Sequence, residues 1–315
     1  MMKVKAHQQF WNSWASDYQK FSEQIEPYRD AQIDFAESAI DALGNVAFRH
    51  TVRILDIDGG AGNMIAPLLD TLAAKRGNLR GVSYTLTDSV ETMLKIAEER
   101  LDGFKKNYPD VSFKVLFGNT LEPGFIAMTG LNKGDLVMSN WNIEYDPPEI
   151  REEIVKLLID LADQQSVIAV SSTLRLPPGM TLREILLPLG RAQVIHALLT
   201  GGPAKMGKVI ESLKKITMFG TAISSQHFPE KPTLAELKEL LRRAGIYFAQ
   251  SGYHLYGASA IVLFREDGGK LAPLPERPIA QALVGKQGYE HCSEAVTFWG
   301  YFQALMRRTK KKRRY

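Results

Sequence analysis

The chain has 315 residues, 45% hydrophobic, 9% aromatic and 23% charged, a globular composition that excludes collagen-like, low-complexity and wholly disordered readings. A single cysteine, Cys292, permits neither an internal disulfide nor a cysteine-based metal site; with no membrane-length apolar run and no apolar centre in residues 1–10, a reduced, cytoplasmic protein without a metal is expected. The formal charge of +4 arises from seven cations between Arg307 and Arg314, and the remainder carries −3, so the body gives no reason to expect a broad nucleic-acid face.

In chain order, residues 8–43 read as helical, with Phe10, Trp11, Trp14, Tyr18 and Phe21 near their start. From residue 51 to 266 short apolar runs alternate with amphipathic segments, the pattern of parallel strands joined by crossover helices. Strands are expected at 52–57, 83–87, 111–117, 135–138 and 167–171, with helices at 64–74, 90–104 and 148–161; the last opens on proline, which the first helical turn tolerates. Residues 174–228 are too many for a connection and contain two helical stretches, 182–199 and 206–219. Thr233 and Glu236 form a capping-box pattern for a helix over 234–244, stopped by Gly245, and two extended runs at 246–254 and 258–264 close the region as an antiparallel pair. The expected architecture is α/β: a Rossmann-like, doubly wound, seven-stranded sheet with a terminal antiparallel hairpin. It divides into an N-terminal helical lid (1–50), the core (51–266, with a helical insertion at 174–228) and a C-terminal extension with a basic tail (267–315).

The most informative stretch runs from Ile54 to Asn63, where an apolar strand enters a turn containing Gly59, Gly60 and Gly62 and then a helix. Glycine lets a ligand approach the backbone, and the helix start offers N–H groups, so a nucleotide-like ligand is expected. The dinucleotide fingerprint needs a third glycine where Ile65 stands, which disfavours NAD or FAD. The stretch resembles the first motif of the class I S-adenosylmethionine-dependent methyltransferases, roughly Asp-x-Gly-x-Gly-x-Gly. Asp56, Gly60 and Gly62 fall on it, while Asp58 takes the first glycine position. The Asp58 carboxylate could pair with the ammonium of the cofactor's methionine arm, or crowd the site.

The resemblance continues in order along the chain. Asp88 and Ser89 end the second strand before Met93-Leu94, and the resemblance implies that Asp88 binds both ribose hydroxyls; helix capping is its plain alternative. Asn119 and Thr120 follow the third strand, where the family usually reads the adenine amino group with an acid; a turn role is equally open for Asn119. Asn140 and Trp141 end the fourth strand, expected to contact the cofactor and face the acceptor, although Trp141 could simply be core. The opening Trp14, Ala15 and Tyr18 is similar to the Trp-x-x-x-Ala-x-x-Tyr start of small-molecule members, which implies that Tyr18 covers the cofactor, S-adenosylmethionine; helix packing is the alternative.

Methyl transfer from a sulfonium is an in-line displacement governed by positioning, so no catalytic triad is required. For an alcohol or phenol acceptor a base would help, with His227, His254 and Glu144 as candidates and His196 beside them. Asp146-Pro147-Pro148-Glu149 superficially resembles the Asn/Asp-Pro-Pro-Tyr motif of amino-group methylating enzymes, but Asp146 reads better as a helix cap, so neither DNA nor glutamine is expected as substrate. The insertion's Leu182, Ile185, Leu186, Leu189, Ile195, Leu198 and Leu199 suggest an apolar lid and a small or medium apolar acceptor, methylated at oxygen, nitrogen or carbon. Two alternatives stand beside this: an RNA methyltransferase using the basic tail, which could also meet an anionic membrane, and a non-catalytic relative whose cofactor site Asp58 has altered.

Overall fold

The computed structural model describes residues 2–24, 26–175, 182–225, 230–247, 249–254, 259–265 and 271. Two helices lead, α1 (Met2–Gln24) and α2 (Glu26–Leu43); then come β1 (Val52–Ile57), α3 (Ile65–Arg76), β2 (Val82–Asp88), α4 (Glu91–Asn107), β3 (Val111–Phe117), α5 (Phe125–Thr129), β4 (Gly134–Asn140), α6 (Pro148–Asp160), β5 (Ala162–Thr173), α7 (Leu182–Ser225), α8 (Leu234–Arg243), β6 (Ala249–His254) and β7 (Ser259–Arg265). The strands form one sheet in the order β3-β2-β1-β4-β5-β7-β6. All neighbours are parallel except β7, which runs against both β5 and β6. This is the doubly wound sheet with a terminal hairpin that the alternating pattern predicts.

Burial on both faces explains why the central strands read as unbroken apolar runs rather than alternating ones. Ile54, Leu136, Met138 and Val167 point to one side and pack with Phe35, Ile40 and Leu43 of α2, Leu68 and Leu72 of α3 and Leu94 of α4. Leu55, Val137, Ile168 and Phe264 point to the other, against Ile154, Val155 and Leu158 of α6 and Leu240 and Leu241 of α8. Phe35, Ile40 and Leu43 of α2 thus belong to the sheet's own core, while Tyr28 at its start joins α1 residues in a separate aromatic cluster.

Local chemistry sets the element ends. Thr233 Oγ1 accepts from Glu236 N–H at 3.1 Å while the Glu236 carboxylate accepts from Thr233 N–H at 2.8 Å, so the expected capping box is present at α8. Strand β5 begins earlier than the apolar run at 167–171 because 162–166 form an irregular entry: Gln165 has φ +65°, and Ser166 Oγ accepts from Asp163 N–H and donates to the Gly134 carbonyl. The insertion is helical as expected, but its two helices abut directly at Gly202, where φ is +68°. In its described part Ile195, Leu198 and Leu199 are exposed, whereas Gln193 and His196 are buried, so these apolar residues do not face inward as an apolar lid would require. None of the described helices is long and apolar enough to cross a membrane. The basic tail and His227 lie outside the described residues.

Candidate functional site

The strand order reverses between β1 and β4, and the crevice at the carboxyl ends of strands flanking such a reversal is where open α/β sheets bind ligands. The turn after β1 forms one wall and the segment after β4 the other. Three non-glycine residues with positive φ occur among the described residues, and two of them flank this crevice: Asp58 at +55° and Trp141 at +54°. Aspartate tolerates the left-handed region because its short side chain bonds locally, but for tryptophan the conformation is a real outlier. Such strain costs on the order of 1–3 kcal/mol and persists where surrounding bonds over-determine it. Here the Trp141 N–H donates to both the carbonyl (3.1 Å) and Oγ (3.2 Å) of Ser171, which in turn donates to Asn140 Oδ1. Asn142 Nδ2 reaches across the crevice to Asp58 Oδ2 at 2.8 Å, joining the two walls.

Each part of the glycine turn has a physical reason. Asp56 is fully buried beneath it and takes a hydrogen bond from the Tyr84 hydroxyl at 2.6 Å, which leaves its Oδ1 without a partner among the described residues. A Cβ on Gly59 would lie 2.5 Å from Asp56 Oδ2, so only glycine lets the backbone cross that carboxylate. Gly62 sits at φ +71°, and a Cβ there would come 2.8 Å from Ile65 Cδ1. Asp88 takes the Gly60 N–H on one oxygen (2.8 Å) and the Val90 N–H on the other (2.7 Å), clamping the turn to the start of α4. From behind, Arg100 donates to the Ala61 carbonyl (2.6 Å) and Asn63 Oδ1 (2.9 Å).

The electrostatics are acidic. Burial pushes the Asp56 carboxyl up to about 7 and that of Asp88 up to about 6, and raises Asp58 well above the ordinary range, helped by the charges of Asp88, Asp146 and Asp56. Asp146 is likewise pushed to about 6 by burial. Its expected capping role is not observed: Pro147 occupies the N-cap of α6 with no side-chain bond, and Asp146 joins the acidic group beside Asp58 instead.

An aromatic cover closes over the turn. Phe10, Trp11 and Ala15 of α1 pack on Ala61, Val90 and Met93, with Trp14, Tyr18, Tyr28 and Tyr145 against them. Trp11 meets Tyr18 and Tyr145 edge-on at 5.4 and 5.2 Å, and Tyr28 lies 4.3 Å from Trp141. Two polar contacts pin this helix: Gln8 Nε2 donates to the Ser89 carbonyl, and Asn12 Oδ1 accepts from the Thr92 N–H and hydroxyl, replacing the cap that Val90 cannot supply to α4.

The structure thus gathers Tyr18, Asp56, Asp58, Gly60, Gly62, Asp88, Ser89, Asn140, Trp141 and Glu144 around one crevice. Asn119 and Thr120 follow β3 at the sheet's edge, and Asn119 Oδ1 accepts from the Leu121 N–H at 3.0 Å, the turn role. His254 ends edge strand β6, three strand spacings or roughly 14 Å from β4. His196 is buried on α7. Sequence reasoning missed Tyr28, Tyr84, Arg100, Asn142 and Tyr145. Only Asn142, which follows Trp141 directly, and Tyr145, four positions after it, carried a signal.

The strand order and the reversed β7 are those that the resemblance to the class I methyltransferases implies. No protein-family model matches the sequence, and no curated protein is significantly similar to it. Among solved structures, the chain is similar to magnesium protoporphyrin IX methyltransferase from Synechocystis PCC 6803 with bound SAH, at 16% identity and a TM-score of 0.49, over 82% of this chain and 98% of that one. It is also similar to the plantazolicin methyltransferase BamL, in complex with a triazolic desmethylPZN analogue and SAH, at 16% identity and a TM-score of 0.45, over 98% and 88% of the two chains. Human N-acetylserotonin methyltransferase in complex with SAM shows 14% identity and a TM-score of 0.45, over 73% of this chain and 51% of that one. Likeness at this level concerns the path of the chain, and the chemistry has to be read from the residues of the crevice.

Proposed function

We propose that the protein transfers a methyl group from S-adenosylmethionine to a small or medium organic acceptor beneath the α1 cover. The observation that carries this reading is the pair of strained residues, Asp58 and Trp141, held on opposite walls of the crevice where the strand order reverses. The donor set fits such a cofactor: glycine backbone after β1 and an acid ending β2 suit a nucleoside, while Asp58, Asp88 and Asp146 suit a ligand bearing positive charge. Bound there, the cofactor would supply an electrophilic methyl carbon on a cationic sulfur.

The chain's own contribution is positioning. Gly60 and Gly62 would present backbone to the methionine arm, with Asp58 accepting from its ammonium, and Asp88 would accept from the ribose while keeping its hold on the Gly60 N–H. Tyr18, Trp11 and Trp141 would exclude water, and holding the reactants in line can supply about 7–11 kcal/mol of the barrier. Glu144, buried just beyond Trp141, is the proton acceptor of this scheme.

Calorimetry with S-adenosylmethionine and S-adenosylhomocysteine tests the reading. One-to-one binding, weakened in Gly62→Ala, is the expected result. Absence of binding to the natural chain, with binding gained in Asp58→Gly, would overturn it in favour of a non-catalytic relative.

A further inference from the structure

The segment after β4 holds a buried carboxylate that the fold itself leaves half used. Glu144 lies on a short 3-10 turn, Ile143–Tyr145, and is only 1% exposed. Its Oε1 accepts from the N–H (3.2 Å) and the hydroxyl (2.9 Å) of Thr173 at the end of β5, which fixes the side chain. Its Oε2 is buried and has no hydrogen-bond partner among the described residues. A carboxylate oxygen in that state costs on the order of 1–3 kcal/mol or more, so it marks a place where a donor belongs.

The surroundings define the donor. Trp141 and Tyr145 flank Glu144 in sequence; Tyr28 lies tilted at 57° against Trp141 with ring centres 4.3 Å apart, Trp11 stands edge-on to Tyr145 at 5.2 Å, and Tyr18 bridges Trp11 and Tyr28 at 5.4 and 6.4 Å. Burial raises the pKa of the Tyr18, Tyr28 and Tyr145 phenols, and the Glu144 charge reaches each of them and adds to the rise. Among the described residues, nearby cations are few. Arg151 spends its guanidinium on the carbonyls of Ile143, Glu144 and Glu230, and Lys231 feels Glu144 without hydrogen-bonding to Oε2. Aromatic faces attract cations, and one carboxylate among several rings is the arrangement that selects a positively charged nitrogen over a neutral group of the same shape.

We infer that the acceptor is an organic ammonium, held by Glu144 Oε2 within the rings of Trp11, Tyr18, Tyr28, Trp141 and Tyr145. The inference rests on the methyl-transfer reading and specifies its acceptor, replacing the apolar one suggested by the insertion's leucines. The chemistry balances. The ammonium gives one proton to Glu144 Oε2, and the freed nitrogen lone pair forms the N–C bond. The C–S bond breaks with its electron pair staying on sulfur, the product leaves as a methylammonium, and Glu144 then returns its proton to water.

The test uses the full chain saturated with S-adenosylhomocysteine, so that binding is read without turnover. Isothermal titration at pH 8 compares 2-phenylethylamine with its neutral counterpart 2-phenylethanol, on the natural protein and on Glu144→Gln, whose amide oxygen can keep both Thr173 contacts. The expected result is an amine affinity at least tenfold above that of the alcohol, a loss of at least tenfold for the amine in Glu144→Gln, and an unchanged S-adenosylhomocysteine affinity that reports an intact fold. Equal affinity for the two probes, no binding of either, or a change within twofold in Glu144→Gln overturns the ammonium assignment. Failure of S-adenosylhomocysteine to bind in the first titration instead overturns the methyl-transfer reading itself, and the ammonium assignment with it.

Discussion

Replacing Tyr84 by Phe removes a single oxygen and probes the foundation of the glycine turn. The Tyr84 hydroxyl donates to Asp56 at 2.6 Å, and Asp56 is fully buried with its other oxygen unpartnered among the described residues. Burial raises the Asp56 carboxyl to about 7, and this bond is what holds it down against a higher value. A carboxyl whose folded pKa lies above its unfolded one binds its proton more tightly when native. Asp56 therefore lowers stability as pH rises from about 4 towards 7, and its full cost is present above that window. Without the hydroxyl the folded pKa rises further, so the variant goes on losing stability at pH values where the natural protein has levelled off. Below pH 6, where Asp56 is protonated in both, the loss should be that of a neutral hydrogen bond, about 1 kcal/mol. Above pH 8 it should reach about 2–3 kcal/mol, the range for a bond to a charged group, and a tenfold tighter hold on the proton corresponds to about 1.4 kcal/mol of that loss. Urea unfolding of both proteins at pH 5.5, 7 and 8.5, with equal slopes, measures the difference. A difference that stays flat with pH, or below about 0.5 kcal/mol throughout, would refute the description of Asp56 as a buried acid under the turn.

Three further outcomes follow from the same geometry. Affinity for S-adenosylmethionine should fall about tenfold from pH 8 to pH 5, as Asp58, Asp88 and Asp146, all raised by burial, gain protons and lose the charge that attracts a cation; the uncharged-sulfur product should lose less, and calorimetry at both pH values shows which. Gly62→Ala forces a side chain into φ +71° with its Cβ 2.8 Å from Ile65 Cδ1, and should cost about 1–3 kcal/mol of stability by denaturant titration as well as weakening nucleoside binding. Asn12→Ala removes the acceptor for the Thr92 N–H and hydroxyl, worth about 1 kcal/mol as a helix cap, and limited proteolysis should cut α1 faster while the sheet core stays resistant.

How much of this was legible depended on the range of the interaction involved. The seven strands and their order of appearance follow from apolar runs punctuated by glycine and proline, because strand burial and turn geometry are imposed by neighbours in the chain. The glycine turn was legible for the same reason: Gly62 answers to its own φ and to Ile65, three residues on. Asp146 shows where such reasoning fails, since a residue before two prolines reads as a cap until the acids around Asp58 draw it into their group. Tyr84 reads as an ordinary strand aromatic, and nothing near it in sequence tells that its hydroxyl ends beneath β1.

By itself, then, the sequence determined a parallel sheet with a reversed last strand and a nucleotide-sized turn after its first. Only the tertiary structure decided which acids share a crevice, that α1 closes over it, and that Glu144 keeps one oxygen buried and without a hydrogen-bond partner among the described residues. Propensity and periodicity act over a few residues, whereas the charge, burial and partner of a side chain are fixed by elements far away in the chain, as Asn142 is 84 positions from Asp58.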